Sequence, residues 1–187
     1  MSRAIIATLL FLGLILTGCS AVTRPEQQVN ITAQGSLTLL PVPQVLRGTQ
    51  ITQLLRASYG DDSYELIIQL EFARERLSVI AMSVEGLPIF EQVYYSDGRL
   101  ITHQFLAGAG PEPSYMLADI QLVHWPLQQL QYSIHGAELS ERVSSDTTTR
   151  IVSEGGESTI IIVYDANKVS LSHKQRGYKL ELIRLEE

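Results

Sequence analysis

The stretch Tyr64-Glu65-Leu66-Ile67-Ile68-Gln69-Leu70-Glu71-Phe72 decides the fold class. Tyr64, Leu66, Ile68, Leu70 and Phe72 share one parity, while Glu65, Gln69 and Glu71 take the other, broken only by Ile67. Alternation with period two marks a half-buried strand, because successive side chains point to opposite faces of a sheet. Upstream, Thr49, Ile51, Leu55, Ala57 and Tyr59 keep one parity, and Gly60-Asp61-Asp62 supplies a turn between the two segments. Downstream, Arg74-Glu75 and Ser96-Asp97-Gly98 punctuate further hairpins. In the C-terminal third, residues 147–154, 158–164, 168–174 and 178–185 read as strands, split by Gly155-Gly156, Asp165-Ala166-Asn167 and Arg176-Gly177. Consecutive strands joined by short turns specify an antiparallel meander and exclude a βαβ crossover fold.

One segment between the two β blocks changes period. Met116, Leu117, Ile120 and Val123, then Leu127, Leu130 and Ile134, fall at helical spacings. Pro126 cannot sit inside a continuous helix but suits the first turn of a second one. The expectation is two short helices, at about 115–124 and 126–134, with Gly136 as the stop. Pro111 and Pro113 place a loop before them.

Two strands are apolar on both parities. Leu77, Val79 and Ala81 oppose Ile80, Met82 and Val84, and Ile160 and Ile162 oppose Ile161 and Val163. Both faces of such strands need cover, since exposed apolar area costs about 25 cal/mol per Å². A solid sandwich meets that need. So does a curved sheet, or half-open barrel, with the two helices as a lid over an apolar lumen. Patterning leaves both open, because a filled core and an apolar cavity use the same residue types.

The N-terminus supplies an address. Arg3 precedes an apolar run, Ala4 to Leu16, that ends in Leu16-Thr17-Gly18-Cys19. A basic start with a short apolar segment is an export signal, and about 13 apolar residues fall short of the ~20 that span a bilayer. Leu16-Thr17-Gly18-Cys19 resembles a bacterial lipoprotein signal, which implies that residues 1–18 are a signal peptide and that 19–35 are a lipidated Cys19 and a polar tether. Residues 36–187 read as one domain, a length ample for a real core. Cys19 is the single cysteine of the 187-residue chain, so an internal disulfide is impossible, which favours lipidation over redox chemistry. A formal net charge of −6 with no dense Lys/Arg run argues against nucleic acid as a partner.

A search for chemistry returns little. His103, His124, His135 and His173 have neither zinc-pair spacing nor a neighbouring cysteine. No nucleophile-elbow or phosphate-cradling glycine motif is present, so neither cofactor, metal nor catalytic residues are assigned and a non-enzyme is expected. Asp119, on a helix, reads as a solvated or capping carboxylate, and His173 as a packed histidine at a strand end.

The stretch Leu117-Ala118-Asp119-Ile120-Gln121-Leu122-Val123-His124-Trp125-Pro126, with its Asp-x-x-Leu-x-x-Trp-Pro centre, resembles the mark of a family of small uncharacterised proteobacterial lipoproteins, a domain of unknown function, over about residues 40–185. The order of lipobox, tether, meander, two helices and closing meander also resembles the LolA/LolB lipoprotein-carrier fold. The resemblance of Leu16-Thr17-Gly18-Cys19 to a bacterial lipoprotein signal implies three acyl chains on Cys19 and, with Ser20 after it, an outer-membrane anchor with the domain facing the periplasm. The LolA/LolB resemblance implies a half-open barrel whose helical lid covers a cavity for acyl chains. Cavity candidates are Leu66, Ile68, Leu70, Val79, Ile80, Met82, Ile160 and Ile162 on the strands, drawn from both parities. Leu117, Ile120, Val123 and Leu127 join them from the lid. Leu87, in Glu85-Gly86-Leu87-Pro88, is the membrane-loop candidate, and Trp125-Pro126 the lid hinge. The implied partners are the membrane, a lipid or other long apolar cargo such as a polyene pigment or modified envelope lipid, and a periplasmic carrier protein. The alternative is a docking lipoprotein of an envelope complex with a solid core.

Overall fold

The computed structural model describes residues 27–106 and 112–185; Cys19, the signal segment and Pro111 lie outside these. The first meander comprises β3 (Thr49–Tyr59), β4 (Asp62–Phe72), β5 (Arg76–Met82), β6 (Pro88–Tyr95) and β7 (Leu100–Gln104). The second comprises β9 (Glu138–Val143), β10 (Thr148–Glu154), β11 (Glu157–Tyr164), β12 (Lys168–His173) and β13 (Tyr178–Arg184). They form one antiparallel sheet in the order β7-β6-β5-β4-β3-β13-β12-β11-β10-β9. The halves join where β13 pairs with β3, so Leu182 lies opposite Leu55 and Arg184 opposite Gln53. The edge strands β7 and β9 are not paired with each other, so the sheet is open and no barrel closes.

Register resolves the parity that patterning left open. Ile51, Leu70 and Val79 form one cross-strand row, and Gln53, Ile68, Ala81 and Phe90 form the next. In the other half Arg150, Ile162, Leu171 and Leu180 align. This face carries the buried core of the sheet, including Phe72, Leu77, Val152 and Ile160.

Two helices follow the first meander, α1 (Pro113–His124) and α2 (Leu127–Ser133). Pro113 opens α1, where its missing N–H is harmless, and the Glu112 carboxylate accepts from the Tyr115 amide at 3.1 Å. Pro126 takes the N-cap of α2, just outside its first turn. Helix α2 ends at Ser133, before Gly136. Gly136 instead lies at φ +73° in a close crossing, where an added Cβ would meet the Gln34 carbonyl oxygen at 2.4 Å.

The residues read as tether extend less far than expected. Gln28–Asn30 is β1 and Ser36–Thr38 is β2; with β8 (Ile134–His135) they form a second, three-stranded sheet. Val29 and Ile31 are buried, which puts residues 28–35 inside the packed body. Strands of three residues are too short to display alternation, hence the misreading. The N-terminal segment also changes what α1 is. Leu117 through Val123 are seven consecutive buried residues, the signature of a helix covered all round. Asp119 and Gln121, about 200° apart around the helix, show the two sides. Tyr178 donates to Asp119 from the large sheet, while Gln121 exchanges two hydrogen bonds of 2.9 Å with the Leu40 backbone. Helix α1 is therefore an enclosed core element, not an outer lid.

Candidate functional site

The residues around the Trp-Pro break hold α1 in place. The Trp125 indole N–H donates to the Pro41 carbonyl at 3.1 Å. Arg150, 7% exposed, donates to the carbonyls of Leu122 at 2.6 Å and Trp125 at 3.0 Å, satisfying two acceptors at the helix end. Its other nitrogens reach the Glu141 carboxylate at 3.0 and 2.9 Å. The Tyr164 hydroxyl donates to the Val123 carbonyl at 2.8 Å, and burial pushes its pKa up to about 12. The phenol therefore stays protonated and a donor. Trp125, 1% exposed and packed on Phe72, anchors the helix pair.

Beside this anchored helix end lies a groove of about 580 Å³, within the range usual for ligand sites. Ile51, Val123, Val169 and Leu182 give it apolar walls. Gln53, His124 and Tyr164 bring polar groups, and Asp165, Lys168 and Arg184 bring charges. It opens where β3 and β13, the join of the two half-sheets, meet the end of α1. His124 sits edge-on to Phe72 at 5.8 Å. Burial, then the charges of Arg184 and Arg150, push its pKa down to about 4, so the imidazole is neutral at pH 7. A second hollow of about 430 Å³ lies between Arg47-Gly48-Thr49-Gln50 and Glu71-Phe72-Ala73-Arg74.

A buried polar cluster lies farther along α1. The Tyr178 hydroxyl is 2.5 Å from Asp119 Oδ2, and the Tyr178 and His173 rings are 5.0 Å apart. Asp119 is 9% exposed, and desolvation raises its carboxyl to about 7, correcting the solvated-residue expectation. His173 is buried as expected, and burial lowers its pKa to about 4. Arg176 stacks over Tyr115 at 3.5 Å and donates to the Asn30 carbonyl. Glu154 accepts from Thr32 Oγ1 at 2.5 Å and the Gln34 amide at 2.6 Å. This cluster fastens the N-terminal segment to the large sheet.

Among the cavity candidates, Leu66, Ile68, Leu70, Val79, Ile160 and Ile162 share the helix-side face, whereas Ile80 and Met82 lie on the opposite face. Ile68, Leu70, Val79, Leu117, Ile160 and Ile162 are at most 4% exposed in the core cluster. Ile120 is nearly as buried, and Leu66 and Leu127 pack against the same core. These residues pack against protein: α1 occupies the space a lumen would need. Val123 alone of the candidates lines the groove. Leu87 is 67% exposed at the β5–β6 turn, apart from the groove. Sequence reasoning missed Ile51, Gln53, His124, Val169, Leu182 and Arg184 as one site. Their common inward parity on β3, β12 and β13 was the available signal for the strand members.

Among the described residues no helix is long and apolar enough to cross a membrane. A family model described as a protein of unknown function (DUF3261) matches residues 50–186, leaving the N-terminal segment outside the match. No curated protein matches the chain.

Proposed function

The chain belongs to that family, and we propose that it is an outer-membrane lipoprotein, anchored through Cys19, whose domain binds or transfers a lipid or other long apolar molecule in the cell envelope. The observation behind this reading is the groove: apolar Ile51, Val123, Val169 and Leu182 line an open space between the hydrogen-bonded end of α1 and the centre of the sheet. Apolar walls beside a polar and charged rim suit a ligand with a hydrocarbon part and a polar end. The LolA/LolB likeness enters here as architecture only: a large antiparallel sheet with helices on one face. The cargo seat differs from a central lumen, because the core is filled. A periplasmic carrier would deliver cargo to the groove mouth.

A second reading, a docking lipoprotein of an envelope complex, is favoured by exposed apolar residues at one end of the sheet. Leu87 (67% exposed), Phe105 (51%) and Leu106 (57%) meet there, where the amides of Phe105 and Leu106 both bond the Ile89 carbonyl. Protein purified from membranes, its organic extract analysed by mass spectrometry and its groove probed by displacement of a fluorescent fatty acid, separates the two. Co-purifying lipid with saturable, displaceable probe supports the carrier reading. Neither observation leaves only docking.

A further inference from the structure

The charges around the groove are not all paired with one another. Lys168 Nζ is 3.2 Å from Glu181. The Asp165 carboxylate accepts from the Ala166 amide at 2.7 Å in its own turn. Arg150, under the end of α1, is paired with Glu141 at 2.9 Å. Arg184 is the exception: its guanidinium has no ion pair or hydrogen bond among the described residues. Its place is set by register, on the helix-side face opposite Gln53, a buried amide 6% exposed that lines the same groove. The groove thus has apolar walls of Ile51, Val123, Val169 and Leu182 and, beside the Gln53 amide and the His124 ring, a cation unpaired among the described residues.

A guanidinium presents parallel N–H groups that match the two oxygens of a carboxylate or phosphate, and it is less strongly hydrated than an ammonium. The chain as a whole carries a formal net charge of −6 and Asp165 lines the same groove, so an anion here would be held by the guanidinium itself and not by a net positive field. Resting on the groove reading above, we propose that the ligand is a single-chain amphiphile whose oxyanion head pairs with Arg184, with Gln53 and His124 beside it and its hydrocarbon chain along the apolar walls. A neutral imidazole adds either a donor or an acceptor to the head without competing for the charge.

The test uses the full chain in phosphatidylcholine nanodiscs and photoactivatable long-chain probes of matched length: a fatty acid, an alkyl phosphate and a fatty alcohol. Cross-linked peptides are mapped by mass spectrometry. The expected result is labelling of residues 51–53, 123–124 and 182–184 by the acid and the phosphate, with the alcohol about fivefold weaker. Arg184→Gln should lower acid and phosphate labelling about fivefold and leave the alcohol unchanged. Equal labelling by acid and alcohol, or acid labelling that Arg184→Gln leaves untouched, overturns the oxyanion assignment while the groove reading stands. If no probe labels the groove, the groove reading falls and this inference with it.

Discussion

Replacing Arg150 by Met tests how the helix end is held. Arg150 and Glu141 side chains are 8% and 23% exposed, so this pair is screened far less than a surface ion pair. The substitution removes four hydrogen bonds: two to Glu141 and one each to the Leu122 and Trp125 carbonyls. Trp125 O loses its side-chain donor, and Leu122 O keeps only a 3.5 Å contact with Tyr164. Removing one partner of a buried pair costs about 3–5 kcal/mol, and each stranded buried acceptor about 1–3 kcal/mol within such a total. Partial exposure of Glu141 moves the expectation to the lower end, about 3 kcal/mol. Arg150→Met with Glu141→Leu removes the stranded charge but not the stranded carbonyls, so about 1 kcal/mol should return. Urea unfolding followed by circular dichroism reads this as a shift in midpoint at constant slope. A loss below about 1 kcal/mol for the single variant, or no recovery in the double, would refute the assigned role of Arg150.

Three further outcomes follow from the packing. Asp119, with its folded pKa near 7 against 3.8 in the open chain, gives stability that is full below about pH 3.8 and lost as pH rises through 7. His124 and His173, lowered to about 4 from 6.5, act oppositely: their contribution is full above 6.5 and lost as pH falls toward 4. The two effects offset each other between pH 4 and 6.5, so Asp119→Asn should make the rise of unfolding midpoint with pH steeper across that window; an unchanged profile would place Asp119 in water. Gly136→Ala forces a Cβ to within 2.4 Å of the Gln34 carbonyl at a left-handed φ, and should cost about 1–3 kcal/mol in thermal or urea unfolding. Gln121→Met strands the Leu40 N–H and C=O and should speed amide hydrogen exchange over residues 36–42 while leaving β4 and β5 protected; uniform loss of protection would show that the N-terminal segment does not detach locally.

The order of strands within each meander and most of their boundaries were legible because local signals sufficed, whereas the β13–β3 join was not. The alternation of 64–72 became β4, and the expected strands at 147–154, 158–164, 168–174 and 178–185 became β10 to β13 within a residue or so. Both helices appeared at the 3.6-residue spacing, separated at Trp125-Pro126. What failed depended on partners distant in sequence. Nothing near Asp119 announces Tyr178, 59 residues on, nor does anything near Gln121 announce Leu40, 81 residues back. The apolar run of α1 did hold a clue: Leu117, Ala118, Ile120, Leu122 and Val123 encircle the helix, a pattern that asks for cover on every side. The covering segment, Gln28–Asn30 and Ser36–Thr38, offers only three residues per strand and stayed invisible. The groove was equally hidden, since it gathers β3, α1, β12 and β13, and Ile80 and Met82 could be assigned to the outer face only once register was known.

That assignment supplies the most direct test of the groove as a cargo seat. Leu182→Trp fills the groove from its sheet side, whereas Ile80→Ser alters the opposite face of the sheet. Titration of a fluorescent fatty acid should give saturable binding to the parent protein and to Ile80→Ser, and at least about tenfold weaker binding to Leu182→Trp with its circular dichroism retained. Equal affinity in all three proteins, or no saturable binding to the parent, would contradict the groove.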